Sequence, residues 1–202
     1  MSLTWFFIIF FSIIVIQRIL ETFSQRAKKI GEVRQRWTFS LLFVAHAIVI
    51  VGSILEYLLL KRDISLIVTF FGIILYLCGL IGRNWSIRTL GEYWSIHLEI
   101  RKDHKLIRNG PYKYVRHPAY LCIIFEVCGI PLIVNSYFTF LCAVVVYTPL
   151  ILLRIYYEEK EHLKIFGLEY LEYKRQVSAL FPIKKMSKHR SRVERLPEQV
   201  DK

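Results

Sequence analysis

Charge is scarce in this 202-residue chain and acidic charge scarcer still: 22% of residues are Asp, Glu, Lys or Arg, with 16 acidic against 28 basic and a net charge of +12. A chain so poor in charge and 54% apolar is neither disordered nor a single soluble core. There are only four cysteines and no Cys-x-x-Cys pair, which excludes a disulfide scaffold. Cys78, Cys122, Cys128 and Cys142 sit inside apolar runs and read as small reduced hydrophobes, so no metal site is expected. Six prolines and nine glycines form no linker that would divide the chain, and no internal repeat and no convincing Gly-x-Gly-x-x-Gly turn for a dinucleotide is present.

What is present is a series of long apolar runs: Leu3–Leu20, Thr38–Leu60, Ile64–Ile81, Ala119–Val134 and Tyr137–Ile155. Each approaches the length of about 20 residues that a helix needs to cross a bilayer, so the chain is expected to be an all-α integral membrane protein with about five transmembrane helices. The first run has neither the basic start nor the small-residue cleavage site of a signal peptide and is expected to stay as a helix. Two short turns, Lys61-Arg62-Asp63 and Asn135-Ser136, make hairpins of the second and third runs and of the fourth and fifth. Of the 28 basic residues, 26 fall in alternate gaps: six in 18–37, eight in 83–117 and twelve from 154 onward. Basic residues are retained on the cytoplasmic side, so the N-terminus is expected outside and the C-terminus inside. The basic charge is then accounted for by membrane topology, without nucleic acid. The run Lys184 to Arg192 reads either as a contact with anionic lipid or as a solvated tail.

Chemistry is expected in two polar segments. The first ends Gly110-Pro111-Tyr112 and then Arg116-His117-Pro118-Ala119-Tyr120. Proline suits the first turn of the following helix, whose N–H groups have no intrahelical partner and attract anions. The same residues also suit an interfacial belt of aromatic and snorkelling side chains. The second segment holds Arg154 and Glu158, four apart and so on one helical face, where the last run ends. An ordinary helix ion pair and a low-dielectric binding site for a charged ligand are both compatible with that spacing. Gly167 then breaks the helix before a short one with tyrosines three apart, closed by Phe181-Pro182, which is placed to cap a pocket.

Over residues 83–183 the sequence resembles the isoprenylcysteine carboxyl methyltransferase family and the related membrane phospholipid N-methyltransferases. The shared elements stand here as His104-Lys105-Leu106-Ile107, Gly110-Pro111-Tyr112, Arg116-His117-Pro118-Ala119-Tyr120, Arg154 with Glu158-Glu159, and Phe166-Gly167-Leu168-Glu169-Tyr170-Leu171-Glu172-Tyr173. The resemblance implies an S-adenosyl-L-methionine-dependent methyltransferase of the membrane, with the cofactor-binding region on the cytoplasmic side. It implies that the cofactor is held by His104, Lys105, Leu106, Ile107, Tyr112, His117, Pro118, Ala119, Tyr120 and Glu158, and that Arg154 faces the acceptor; Arg154 and Glu158 are the expected catalytic pair. The chain departs from the family in two places: Cys122 stands where glycine is common, narrowing the approach, and His97 falls where eukaryotic members have a cofactor-contacting glutamine.

The implied division is a three-helix scaffold over 1–82, a methyltransferase core over 83–183 and a basic tail over 184–202. Methyl transfer from a sulfonium needs alignment and exclusion of water, and no metal. An acceptor carboxylate is already ionised at neutral pH and needs only a cation to aim it, which favours a lipophilic carboxylate taken sideways from the bilayer. A phenol, enol or amine acceptor would need Glu158 or Glu159 as a base. A phospholipid or alkyl-polyketide N- or O-methyltransferase stays open, as do an NADPH-dependent sterol-type reductase and a non-catalytic membrane protein. Three groups inside spans are costly at bilayer depth. Glu56 is expected to reach the interface near Lys61-Arg62, Glu126 to line a tunnel or glue two helices, and His46 to join a polar cavity or an interhelix hydrogen bond.

Overall fold

The computed structural model describes residues 3–24, 32–34, 36–61, 63–94, 98–100 and 106–182. Among the described residues there are seven α-helices: α1 Leu3–Ser24, α2 Arg36–Leu60, α3 Leu66–Leu90, α4 Pro118–Ile133, α5 Tyr137–Cys142, α6 Thr148–Phe166 and α7 Leu168–Gln176. One antiparallel ribbon departs from the all-α expectation, pairing β1 Glu32–Arg34 with β2 Leu98–Ile100 through Val33 opposite Glu99. It ties the approach to α2 to the loop that precedes the motif segment.

Three stretches among the described residues are long and apolar enough to cross a membrane: Trp37–Leu60, Leu66–Tyr93 and Tyr137–Phe166. Phe7–Gln17 and Pro118–Ile133 are apolar but shorter. At about 1.5 Å per residue, α4 is about 24 Å long, less than a hydrocarbon core of roughly 30 Å. Large apolar side chains face outward all along these helices, among them Leu59, Leu66, Ile67, Phe71 and Ile81. An outer surface this apolar belongs in lipid rather than water.

Helix α3 runs nine residues past the predicted end at Ile81, through Arg83. The charge does not stop the helix because it is neutralised inside the fold: Arg83 Nε lies 2.6 Å from Glu126 Oε1 of α4, and both side chains are buried. Glu126 therefore glues two helices. Around that pair α3 and α4 touch backbone to backbone. A Cβ on Gly79 would lie 2.6 Å from the Cys122 carbonyl oxygen, and one on Gly72 would lie 2.7 Å from the Ile133 nitrogen. Small residues are what permit such an approach between helices in lipid, where apolar side chains gain little by leaving the bilayer.

The far end of the bundle is locked by hydrogen bonds. Asn135, at φ 58°, accepts from the Ser65 N–H at 3.0 Å and donates to Thr69 Oγ1 at 2.9 Å, while Ser136 Oγ donates to the Ser53 carbonyl at 2.9 Å. The Glu56 carboxylate accepts from the Phe138 and Thr139 N–H groups at 3.1 and 2.8 Å, capping the positive end of α5. Between α5 and α6 the residues Ala143–Tyr147 form a π-helical turn. Pro149, lacking an N–H, accounts for the missing i→i−4 bond there. His46 Nδ1 lies 3.5 Å from the Tyr147 hydroxyl on that turn, an interhelix contact as expected.

Candidate functional site

The motif segments, some 40 residues apart in sequence, converge at the end of the bundle opposite the Asn135 turn. Gly110, at φ 54°, turns the chain into a short 3-10 segment, Gly110–Lys113, with Pro111 in its first turn and Tyr112 buried. Residues 115–117 then run beside 178–179: Val115 pairs with Ser178, and the Arg116 and His117 N–H groups donate to the Ser178 and Ala179 carbonyls, each at 2.9 Å. The chain enters α4 at Pro118, which has no N–H to leave unpaired; Ala119 and Tyr120 follow in the first turn, with no helical carbonyl four residues back.

From α4, the Tyr120 hydroxyl donates to Glu158 Oε2 at 2.5 Å, and Arg154 Nε donates to the same hydroxyl at 2.7 Å. The phenol is thus interposed between the guanidinium and carboxylate of α6. His117 stacks at a tilt beside Tyr120, ring centroids 5.8 Å apart, and its Nδ1 lies 3.8 Å from Glu158 Oε1. The two charges on one helical face therefore meet through the phenol and not as a simple side-chain pair. Arg154 is buried, whereas the Glu158 side chain keeps 19% of its surface open, which leaves it accessible to a ligand.

The adjacent Glu159 points elsewhere, as neighbours about 100° apart on a helix must. It is ion-paired with Arg116, whose Nε donates to it at 2.9 Å, and with Lys174 Nζ at 2.5 Å, while His117 Nε2 lies 3.3 Å away. Arg116 also donates to the Lys174 and Val177 carbonyls. This clamp fastens α7 and the segment after it onto the start of α4. A carboxylate so heavily engaged is a poor candidate for the base that a phenol or amine acceptor would need.

Helix α7 begins beyond Gly167, at φ 53°, and buries Tyr170 and Tyr173. The Tyr173 hydroxyl donates to the Tyr112 carbonyl at 2.6 Å, so α7 lies against the Gly110 turn. Burial pushes the Tyr173 phenol up to about 12, and burial with the nearby Glu158 charge raises that of Tyr112 further. Burial, then the Glu159 charge, also raises Tyr170. All three stay neutral, and the Tyr112 hydroxyl, like that of Tyr173, donates to a backbone carbonyl, that of Ser86.

Tyr112, His117, Pro118, Ala119, Tyr120, Arg154 and Glu158 are thus brought together. Leu106 and Ile107 are half-buried in the strand-like approach to the turn and make no polar contact with that cluster. His104 and Lys105 lie outside the described residues, as do His97 and the tail 184–202. Cys122 packs toward α3. Two residues on from Tyr120, about 200° around α4, its sulfur packs on α3, 2.6 Å from where a Cβ on Gly82 would stand. Cysteine on α4 is matched by glycine on α3. Two participants escaped the sequence reading. One is Arg116 with Glu159 as a clamp, of which the Glu-Glu doublet was a visible sign. The other is Thr38, whose Oγ1 accepts from Arg154 Nη1 at 2.9 Å and for which no local pattern exists.

Comparison with known proteins bears on this arrangement. A family model for the isoprenylcysteine carboxyl methyltransferase (ICMT) family matches residues 72–164. The protein YpbQ of Bacillus subtilis, itself uncharacterized, is 28% identical over 74% of the chain and 92% of its own length. Protein-S-isoprenylcysteine O-methyltransferase A of Arabidopsis thaliana is 30% identical over 71% of the chain and 77% of its own length. The solved structure of a eukaryotic intramembrane Ras methyltransferase ICMT superposes with a TM-score of 0.58 at 23% identity, over 76% of this chain and 55% of that one, a likeness of fold.

Proposed function

The chain belongs to the isoprenylcysteine carboxyl methyltransferase family, and on that premise we propose that it methylates the carboxylate of a lipophilic acceptor drawn from the bilayer, with S-adenosyl-L-methionine as donor. The observation that carries this reading is the Arg154–Tyr120–Glu158 relay: a buried guanidinium and a partly open carboxylate held side by side without cancelling each other.

The site fits the donor by its chemistry. One end of S-adenosylmethionine is a cationic amino acid. Glu158 suits its ammonium, and the first-turn N–H groups of Ala119 and Tyr120 suit its carboxylate. Tyr112, His117 and Tyr120 supply flat walls, with Leu106, Ile107, His104 and Lys105 completing the site. When bound, the cofactor supplies a methyl group on a positively charged sulfur, which an ionised carboxylate attacks without help from a base. The remaining tasks fall to the chain. Arg154 holds and aims the acceptor carboxylate, and a guanidinium fork suits two oxygens. Tyr120 donates to Glu158 and accepts from Arg154, so the anion stays with the donor and the cation with the acceptor. Helix α7, fastened by the Arg116–Glu159–Lys174 clamp, excludes water, which strengthens both interactions. Alignment of this kind contributes about 7–11 kcal/mol in favourable cases.

In the membrane the chain makes five spans, the short α4 crossing with help from its neighbours, and the basic gaps set the C-terminus in the cytoplasm. Residues 1–82 are scaffold, 83–183 the catalytic core and 184–202 a basic tail. The soluble cofactor arrives from the cytoplasm and the acceptor from the side. A prenylated C-terminal cysteine is the acceptor class that the plant relative's name points to; an alkyl-chain or phospholipid acceptor presents a different group to Arg154.

Equilibrium binding of labelled S-adenosylmethionine to the detergent-purified chain tests the donor, with NADPH as competitor. Glu158→Gln is expected to weaken binding at least tenfold, a charge-assisted hydrogen bond being worth about 1.5–3 kcal/mol. Displacement by NADPH, or full affinity in the variant, overturns the reading. Methyl transfer to N-acetyl-S-farnesylcysteine, to a long-chain alkyl carboxylate and to phosphatidylethanolamine separates the acceptor classes.

A further inference from the structure

Arg154 is held from two directions, and the second comes from a part of the chain that carries none of the family motifs. Its Nε is fixed by the Tyr120 hydroxyl and its Nη1 by Thr38 Oγ1 at 2.9 Å, with Thr38 only 3% exposed. Thr38 belongs to the first turn of α2, well before the residues 72–164 that match the family. We propose that Thr38 is the positioning residue that orients the Arg154 guanidinium toward the acceptor, so that the N-terminal scaffold takes part in aligning the reaction. The inference rests on the reading of Arg154 given above.

Three observations carry it. First, hydroxyls inside helices ordinarily return to the carbonyl four residues back, as four in this chain do: Ser12 to Ile8, Ser53 to Val49, Ser86 to Gly82 and Thr89 to Trp85, at 2.7–2.9 Å, whereas Thr69, in the first turn of α3, reaches another helix at the Ile133 carbonyl. Thr38, the third residue of α2, has no turn of its own helix behind it, and its oxygen meets Arg154 instead. Second, a planar guanidinium gripped only at Nε and lying over the Tyr120 ring, 5.8 Å from its centroid, retains a pivot about that contact; a second grip at Nη1 removes it. Third, the start of α2 is brought to this place by contacts of its own. The Trp37 ring meets Tyr157 of α6 edge-on, with centroids 5.5 Å apart and planes at 82°, and the β1–β2 ribbon secures the backbone just before it.

Because Thr38 meets Arg154 at Nη1, away from the Nε that Tyr120 holds, its removal is expected to disturb acceptor alignment and leave the donor site intact. The test uses the full chain in detergent, labelled S-adenosylmethionine and N-acetyl-S-farnesylcysteine as the acceptor probe. Thr38→Val keeps the shape and removes the oxygen; Thr38→Ser keeps the oxygen and removes the methyl. Expected for Thr38→Val is cofactor affinity within about twofold of the parent and turnover lowered about tenfold or more, the scale of one hydrogen bond to a charged group. Thr38→Ser is expected to retain at least half of the parental turnover. Full turnover in Thr38→Val overturns the proposal, as does a serine variant no better than the valine one, which would make the methyl packing the active ingredient. Arg154→Ala, run in parallel, keeps the two claims apart: if it turns over normally, the reading of Arg154 fails, whereas a dead Arg154→Ala beside a fully active Thr38→Val removes Thr38 alone.

Discussion

Helix α4 meets an arginine and a glutamate on each of its two sides, and the two couples are built in opposite ways. Toward α3, Arg83 and its own Glu126 touch directly at 2.6 Å, with the side chains 5% and 0% exposed. Toward α6, Arg154 and Glu158 meet through the Tyr120 hydroxyl, and Glu158 stays partly open. A direct buried pair spends each charge on the other, so it holds helices together and offers nothing to a ligand. A phenol placed between the charges keeps them from direct contact and makes a looser joint. The same two residue types thus serve as glue on one face and, in the function proposed above, as a binding site on the other.

The comparison breaks first on stability. Glu126→Ala is expected to destabilise the purified protein by about 3–5 kcal/mol, because it strands a buried arginine, and Arg83→Met with Glu126→Leu together is expected to recover most of that. Thermal unfolding in detergent reads both, and a Glu126→Ala variant as stable as the parent would show that the pair is not glue. On the other face the order is reversed: Arg154→Ala is expected to lose on the order of 10²-fold in turnover, the scale of a misaligned reactant, with little change in melting temperature. Removing the interposed phenol sharpens the contrast. Tyr120→Phe is expected to weaken cofactor binding by roughly tenfold, since Glu158 loses a donor, and equilibrium binding measures it. The smallest effect belongs to the clamp. Glu159→Gln is expected to cost about 1 kcal/mol and to speed proteolysis after Gln176, as the bonds to Arg116 and Lys174 lose their charge.

Much of this was legible in the chain. The apolar runs became helices because hydropathy over some 20 residues is a property of the segment itself. The order of motifs from Gly110 to Tyr173 located the residues that converge, and Gly167 was visible as a break because its backbone needs a conformation that other residues resist. The end of α3 was misjudged at Ile81 for a definite reason: Arg83 ends an apolar run only if it faces water, and the glutamate that shields it is 43 residues further on. The packing of Cys122 was not legible, because sequence shows a side chain's size and not its direction. Its partner, Gly82, sits on another helix.

Composition, helix length and the grouping of basic residues are one-dimensional quantities, and from them the chain alone determined that it is helical, built for lipid, and gathers its polar motifs in two segments. Which arginine would meet its glutamate directly and which through a phenol was settled only by how the helices cross. Glycines at 72 and 79 let α3 and α4 close until Arg83 met Glu126, while α6 lay where Tyr120 came between its own arginine and glutamate and where Thr38 of α2 reached the guanidinium. A hydrogen bond is decided over about 3 Å of space, and the partners that matter here come from helices far apart in the chain.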